Sequence, residues 1–93
     1  MRLESKKVIV TGGASGIGRA ICKIFASEGA SIVVADIDES GSQETLSQIE
    51  SAGGKTTAVT TDVSSEDSVS KMIEESSSFL DGIDILVNDA AAF

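Results

Sequence analysis

Short, uniformly apolar runs alternate along this chain with longer stretches in which apolar residues recur every three or four positions. Val8-Ile9-Val10 and Ile32-Val33-Val34-Ala35 are too evenly apolar for a strand with one wet face, so each predicts a strand buried on both sides. Residues 57–61, rich in threonine and valine, and residues 83–87 predict a third and a fourth strand. Between them, Ile17, Ala20, Ile21, Ile24 and Phe25 form an i, i+3, i+4, i+7, i+8 stripe, which predicts a helix closed by Gly29. A second helix is predicted over 39–52, with Leu46 and Ile49 inward and Gly53-Gly54 as its stop. Its stripe is sparse, and Gly41 weakens its first turn. Ser64 or Ser65 caps a third helix with Glu66 and Asp67 in the first turn and Val69, Met72, Ile73, Phe79 and Leu80 inward.

The order β-α-β-α-β-α-β predicts an α/β fold, a parallel sheet wrapped by helices. Doubly wound connections give the strand order 3-2-1-4 and leave the apolar fourth strand at an edge, where it invites association unless covered. Thr11, Asp36, Asp62 and Asn88 each close a predicted strand, at separations of 25, 26 and 26 residues. All four therefore fall at the carboxyl edge of the sheet, where open α/β sheets bind ligands.

The densest candidate chemistry follows the first strand, in Thr11-Gly12-Gly13-Ala14-Ser15-Gly16-Ile17-Gly18. A strand, a glycine turn and a helix start make an anion site from backbone alone, because glycines allow close approach and the helix start offers unpaired N–H groups. The spacing over Gly12, Gly16 and Gly18 is G-x-x-x-G-x-G rather than G-x-G-x-x-G. Gly13 and Gly18 have the separation of a P-loop, but Arg19-Ala20 stands where Lys-Ser/Thr is required. The acidic lead-in of a methyltransferase turn is absent. A ligand-free connection needs fewer small residues, so the run predicts a dinucleotide site. Asp36, 18 residues past Gly18, stands close to the offset of the carboxylate that accepts ribose hydroxyls and repels a 2′-phosphate. It also suits a turn or cap, since Asp38 and Glu39 follow. Ser15 occupies the turn where a basic residue would welcome a 2′-phosphate, so NAD is expected over NADP. Asp62 reads equally as a helix cap and as a ligand contact.

Composition narrows the partners. The 93 residues are 41% hydrophobic and 24% charged, which fits one small globular domain. Fifteen acidic against seven basic residues give a net charge of −8, which disfavours nucleic acid and anionic membranes as partners. The lone Cys22 forms no internal disulfide and is expected as a small core residue. Without an apolar span or a secretory leader, the cytosol is the expected compartment.

Thr11 to Gly18, Asp36, Asp62-Val63 and Asn88-Asp89-Ala90-Ala91 together resemble the amino-terminal half of a short-chain dehydrogenase/reductase, a likeness extending from Leu3 to Phe93. The resemblance implies a partial Rossmann-like domain over 1–93 that stops before the catalytic half. It implies that Gly12, Ser15, Gly16, Ile17 and Gly18 line the pyrophosphate and adjoining ribose, and that Asp36 holds the adenosine ribose. Asp62 would meet the adenine amino group, with Val63 as backbone partner and apolar wall. Asn88 and Ala90 match the family's Asn-Asn-Ala-Gly segment, whereas Asp89 and Ala91 depart from it. Asp89 puts a carboxylate in place of an amide. The family's activity is hydride transfer between a nicotinamide and an alcohol or carbonyl, with Ser, Tyr and Lys as catalytic groups in the following half. This chain has no tyrosine, so by itself it is expected to bind NAD weakly or not at all and to show no turnover. Full-length relatives form homo-oligomers largely through later helices. A stand-alone nucleotide-binding module and a poorly folding remnant are the alternatives.

Overall fold

The computed structural model describes residues 4–88. Seven elements alternate in the predicted order: β1 (Lys7–Thr11), α1 (Gly16–Ser27), β2 (Ser31–Asp36), α2 (Glu39–Ser51), β3 (Thr56–Thr60), α3 (Glu66–Leu80) and β4 (Ile85–Asn88). The four strands form one parallel sheet in the order β3-β2-β1-β4. β1 lies inside, pairing Thr11 with Ala35 of β2 on one side and with Asn88 of β4 on the other.

Strand alternation divides the core between the two faces. Val8, Val10, Ile32 and Val34 join Cys22 of α1 and Ile49 of α2 on one face, with Ile21, Phe25 and Leu46 packed against them. Ile9, Val33 and Ala35 meet Met72 and Leu80 of α3 on the other. The central strands are sealed, Val8, Val10, Ile32, Val33 and Val34 being entirely without exposure. Each such aliphatic side chain contributes about 1.5–3 kcal/mol over leaving it in water.

Three expectations need correction. The inward face of α1 is not the predicted stripe. Gly18 and Cys22 are buried, Ile21, Phe25 and Ala26 are half-buried, and Ile17, Ala20 and Ile24 face outward. The small residues Gly18 and Cys22 let α1 sit close on the strands, which rotates the larger isoleucines away. Ile73 of α3 likewise stands largely exposed, while Ser76 takes a buried position between Met72 and Leu80. The fourth strand also starts later than predicted. Asp84 precedes it, taking the Lys7 N–H on its carboxylate at 2.9 Å and donating its own N–H to the Lys7 carbonyl at 2.8 Å. Leu86, paired with Ile9 on the α3 face, remains 56% exposed because α3 packs over β2 and β3.

Candidate dinucleotide site

The carboxyl edge of the sheet gathers the predicted residues. Thr11, Asp36 and Asn88 end their strands, and Asp62 lies two residues past the last residue of β3. The glycine turn runs from Thr11 into α1, and its backbone explains its composition. Gly12 and Gly16 take φ of +77° and +56°, a region that side chains disfavour. At Gly13 a Cβ would lie 3.0 Å from both Cys22 Sγ and Val34 Cγ1, so the turn presses directly onto the core. Ser15 is the N-cap of α1 in extended conformation, yet its hydroxyl caps nothing and no acidic side chain occupies the first turn. The opening N–H groups of α1 are thus left to an external acceptor. Ile17 is 71% exposed, so what it offers an anion is its backbone N–H.

Asp36 ties this turn to the end of β2. Its Oδ2 accepts the Ala14 N–H at 3.1 Å and its Oδ1 accepts the Asp38 N–H at 2.9 Å. The carboxylate stays half-exposed, with acceptor capacity left on both oxygens. Ile37 beside it presents an apolar side chain that is 66% exposed.

Asp62 begins the third helix's approach. Its Oδ1 accepts the Ser64 hydroxyl at 2.6 Å and the Ser64 N–H at 2.9 Å, and these bonds hold its carboxyl below the usual range. Ser65, not Ser64, caps α3, accepting the Ser68 N–H. Asp62 therefore serves the turn before α3, while its Oδ2 has no partner among the described residues. Val63 is half-buried in the same turn. The Thr11 hydroxyl donates to Asn88 Oδ1 at 2.8 Å and locks β1 to β4. Ala90, Asp89 and Ala91 lie outside the described residues. Burial pushes the Cys22 thiol up to about 12, so it keeps its proton at neutral pH. Among the described residues no cluster of three or more His, Cys, Asp or Glu is placed to hold a metal, and no helix is long and apolar enough to cross a membrane.

The model of the short chain dehydrogenases matches residues 6–92. The chain belongs to that family. An uncharacterized oxidoreductase of Thermotoga maritima is 43% identical over 89 residues, covering 96% of this chain and 35% of the relative. A 7α-hydroxysteroid dehydrogenase complexed with NADH and 7-oxo glycochenodeoxycholic acid superposes with a TM-score of 0.96 at 38% identity, over 98% of this chain and 36% of that one. A short chain dehydrogenase from Burkholderia cenocepacia in complex with NADP gives 0.94 at 33% identity, over 100% and 38%. This short-chain dehydrogenase sequence thus spans little more than a third of the length of these relatives, two of which hold a nicotinamide dinucleotide, one in each phosphorylation form.

Three residues at the site escaped sequence reasoning. Arg19 and Thr45 bond to the turn from the side of α2, and Gly41 lets α2 approach it. A Cβ on Gly41 would lie 2.6 Å from Asp38 Oδ2 and 2.8 Å from the Ala14 carbonyl oxygen. The signal was present. A glycine that weakens a helix start, and a threonine on the apolar stripe of that helix, both call for a close neighbour.

Proposed function

We propose that this chain forms the cofactor-binding part of an NAD-dependent short-chain oxidoreductase that interconverts an alcohol and a carbonyl. The observation that carries the reading is the half-exposed Asp36 carboxylate at the end of β2, bonded to the glycine turn beside the uncapped start of α1. The opening N–H groups of α1 would receive the pyrophosphate, with Gly12, Gly16 and Gly18 leaving room for it. Asp36 would accept the adenosine ribose hydroxyls, and its charge would repel the 2′-phosphate of NADP. Asp62, through its free Oδ2, and Val63 would border the adenine, with Asn88 and Ala90 along the cofactor's far side. When bound, the nicotinamide supplies or accepts the hydride.

The 93 residues contain no tyrosine, the family's acid/base group, so hydride transfer by the chain alone is not expected. Substrate contacts and homo-oligomer formation would belong to a full-length form, in the cytosol. Calorimetric titration of the chain with NADH and NADPH tests the cofactor assignment. NADH should bind more tightly, and Asp36→Ala should narrow the gap by about tenfold or more, the worth of one charged hydrogen bond. Equal affinities in the unaltered chain would overturn the role of Asp36.

A further inference from the structure

We infer that Arg19 and Thr45 are positioning residues of the phosphate-binding turn, holding its peptide planes from behind so that the Ala14 N–H meets Asp36 and the free Ser15 N–H faces outward toward an anion. The inference rests on the dinucleotide reading above. Thr45, on the second turn of α2, is fully buried, and Arg19 reaches it across the space between α1 and α2. A threonine hydroxyl has one proton to give. Thr45 Oγ1 lies 2.8 Å from the Gly13 carbonyl oxygen and 3.2 Å from that of Gly41, and the shorter bond takes the proton. The same oxygen accepts Arg19 Nε at 2.8 Å. Arg19 Nη2 donates to the carbonyls of Ala14 and Gly41, the latter at 3.0 Å.

The consequence follows from peptide geometry. All described peptide bonds are trans, so each N–H points away from the carbonyl of the same unit. With the Gly13 carbonyl drawn toward Thr45, the Ala14 N–H turns the opposite way and reaches Asp36. With the Ala14 carbonyl drawn toward Arg19, the Ser15 N–H is likewise turned away, and it has no partner among the described residues. Two side chains on one side of the turn thereby aim two consecutive amides to the other. A third contribution is electrostatic. No carboxylate pairs with Arg19 among the described residues, so its positive charge stands uncompensated behind the turn in a chain of net charge −8.

A clamp that only packs α2 against the turn would make the same bonds. The roles separate in an amide-resolved NMR experiment on the 93-residue chain, with ADP and adenosine as probes. Thr45→Val removes the hydroxyl at nearly constant shape, Thr45→Ser restores it, and Arg19→Lys keeps the charge while removing the fork. In the ligand-free chain, Thr45→Val should speed exchange of the Ala14 amide about tenfold or more, leave Val33 and Val34 of β2 unchanged, and be reversed by Thr45→Ser. Thr45→Val and Arg19→Lys should each weaken ADP about tenfold while moving adenosine by less than about twofold, since adenosine lacks the phosphates. An unchanged Ala14 amide, or equal losses for both probes, overturns the positioning role. Normal ADP binding by Thr45→Val overturns it while leaving the dinucleotide reading intact. An unaltered chain that ignores ADP although its Ala14 amide responds to Thr45→Val refutes the dinucleotide reading, and reduces the clamp to packing.

Discussion

The Asp36 carboxylate reaches back 22 residues to the Ala14 N–H, which sits in a residue only 1% exposed. One side chain thus serves two purposes. It supplies acceptors at the ligand edge and satisfies a backbone donor that water cannot easily reach.

Replacing Asp36 should therefore affect stability as well as binding. Asp36→Ala leaves the Ala14 N–H without its partner, at a cost of about 1–3 kcal/mol. Asp36→Asn keeps one oxygen to accept it and should lose less. Urea unfolding of the three chains in the absence of nucleotide measures the difference, and equal midpoints would mean that the bond contributes nothing to the fold.

Gly41 reverses the usual rule for helices. Alanine at an exposed helix position gains up to about 1 kcal/mol over glycine. Here a Cβ would meet the Ala14 carbonyl oxygen at 2.8 Å and Ala14 Cβ at 3.0 Å, and the backbone cannot yield as a flexible side chain would. Overpacking of this kind costs about 1–3 kcal/mol, so Gly41→Ala should lower Tm by several degrees. Ser47→Ala, on the exposed side of the same helix, should leave Tm level or raise it.

The bonds from Ser64 to Asp62 make a titration prediction. The hydroxyl of Ser64, and then its N–H, hold the carboxyl below the ordinary aspartate value of about 3.9. A depressed folded-state value stabilises the fold above the unfolded value, and that contribution is lost as pH falls through the folded one. Carboxyl NMR should find the Asp62 midpoint below that of an unstructured aspartate, and Ser64→Ala should move it upward. A midpoint that ignores Ser64→Ala would show that the turn does not govern the carboxylate.

Cys22 behaves in the opposite sense. Its buried thiol is pushed up to about 12, so the folded chain keeps a proton that the unfolded chain releases near its ordinary value of about 8.5. Stability from this group is complete below the unfolded value and drains away as pH rises toward the folded one. At pH 8 a thiol reagent should modify Cys22 only as fast as the chain opens, and denaturant should accelerate it sharply. Rapid labelling of the native chain would contradict its burial.

Most of the fold was legible because burial on both faces leaves little else for runs such as Val8-Ile9-Val10 to be, and their spacing implies parallel crossovers. The strand-end positions of Thr11, Asp36 and Asn88 followed from the same pattern. The facing of α1 was not legible, since hydrophobicity ranks Ile17 and Ile24 above Gly18 and Cys22, whereas close packing on the sheet favours the smaller pair. Arg19 and Thr45 were missed for a related reason. Their partners are backbone carbonyls of a turn, and carbonyls have no letter in a sequence.

The bonds that shape the glycine turn also differ in how far along the chain they reach. Ala14 to Asp36, Arg19 to Thr45 and Thr45 to Gly13 span 22, 26 and 32 residues, while Thr11 to Asn88 spans 77. Closing the longest loop costs roughly 1 kcal/mol more entropy than the shortest, and it must wait for more chain to be made. During synthesis, which proceeds at about 5–20 residues per second, all of these partners except Asn88 have been joined to the growing chain once α2 is complete, before β4 exists. The cradle can thus assemble on a nascent chain ahead of the strand that later fastens Thr11, and a nucleotide held there would bias the remainder toward its native pairing.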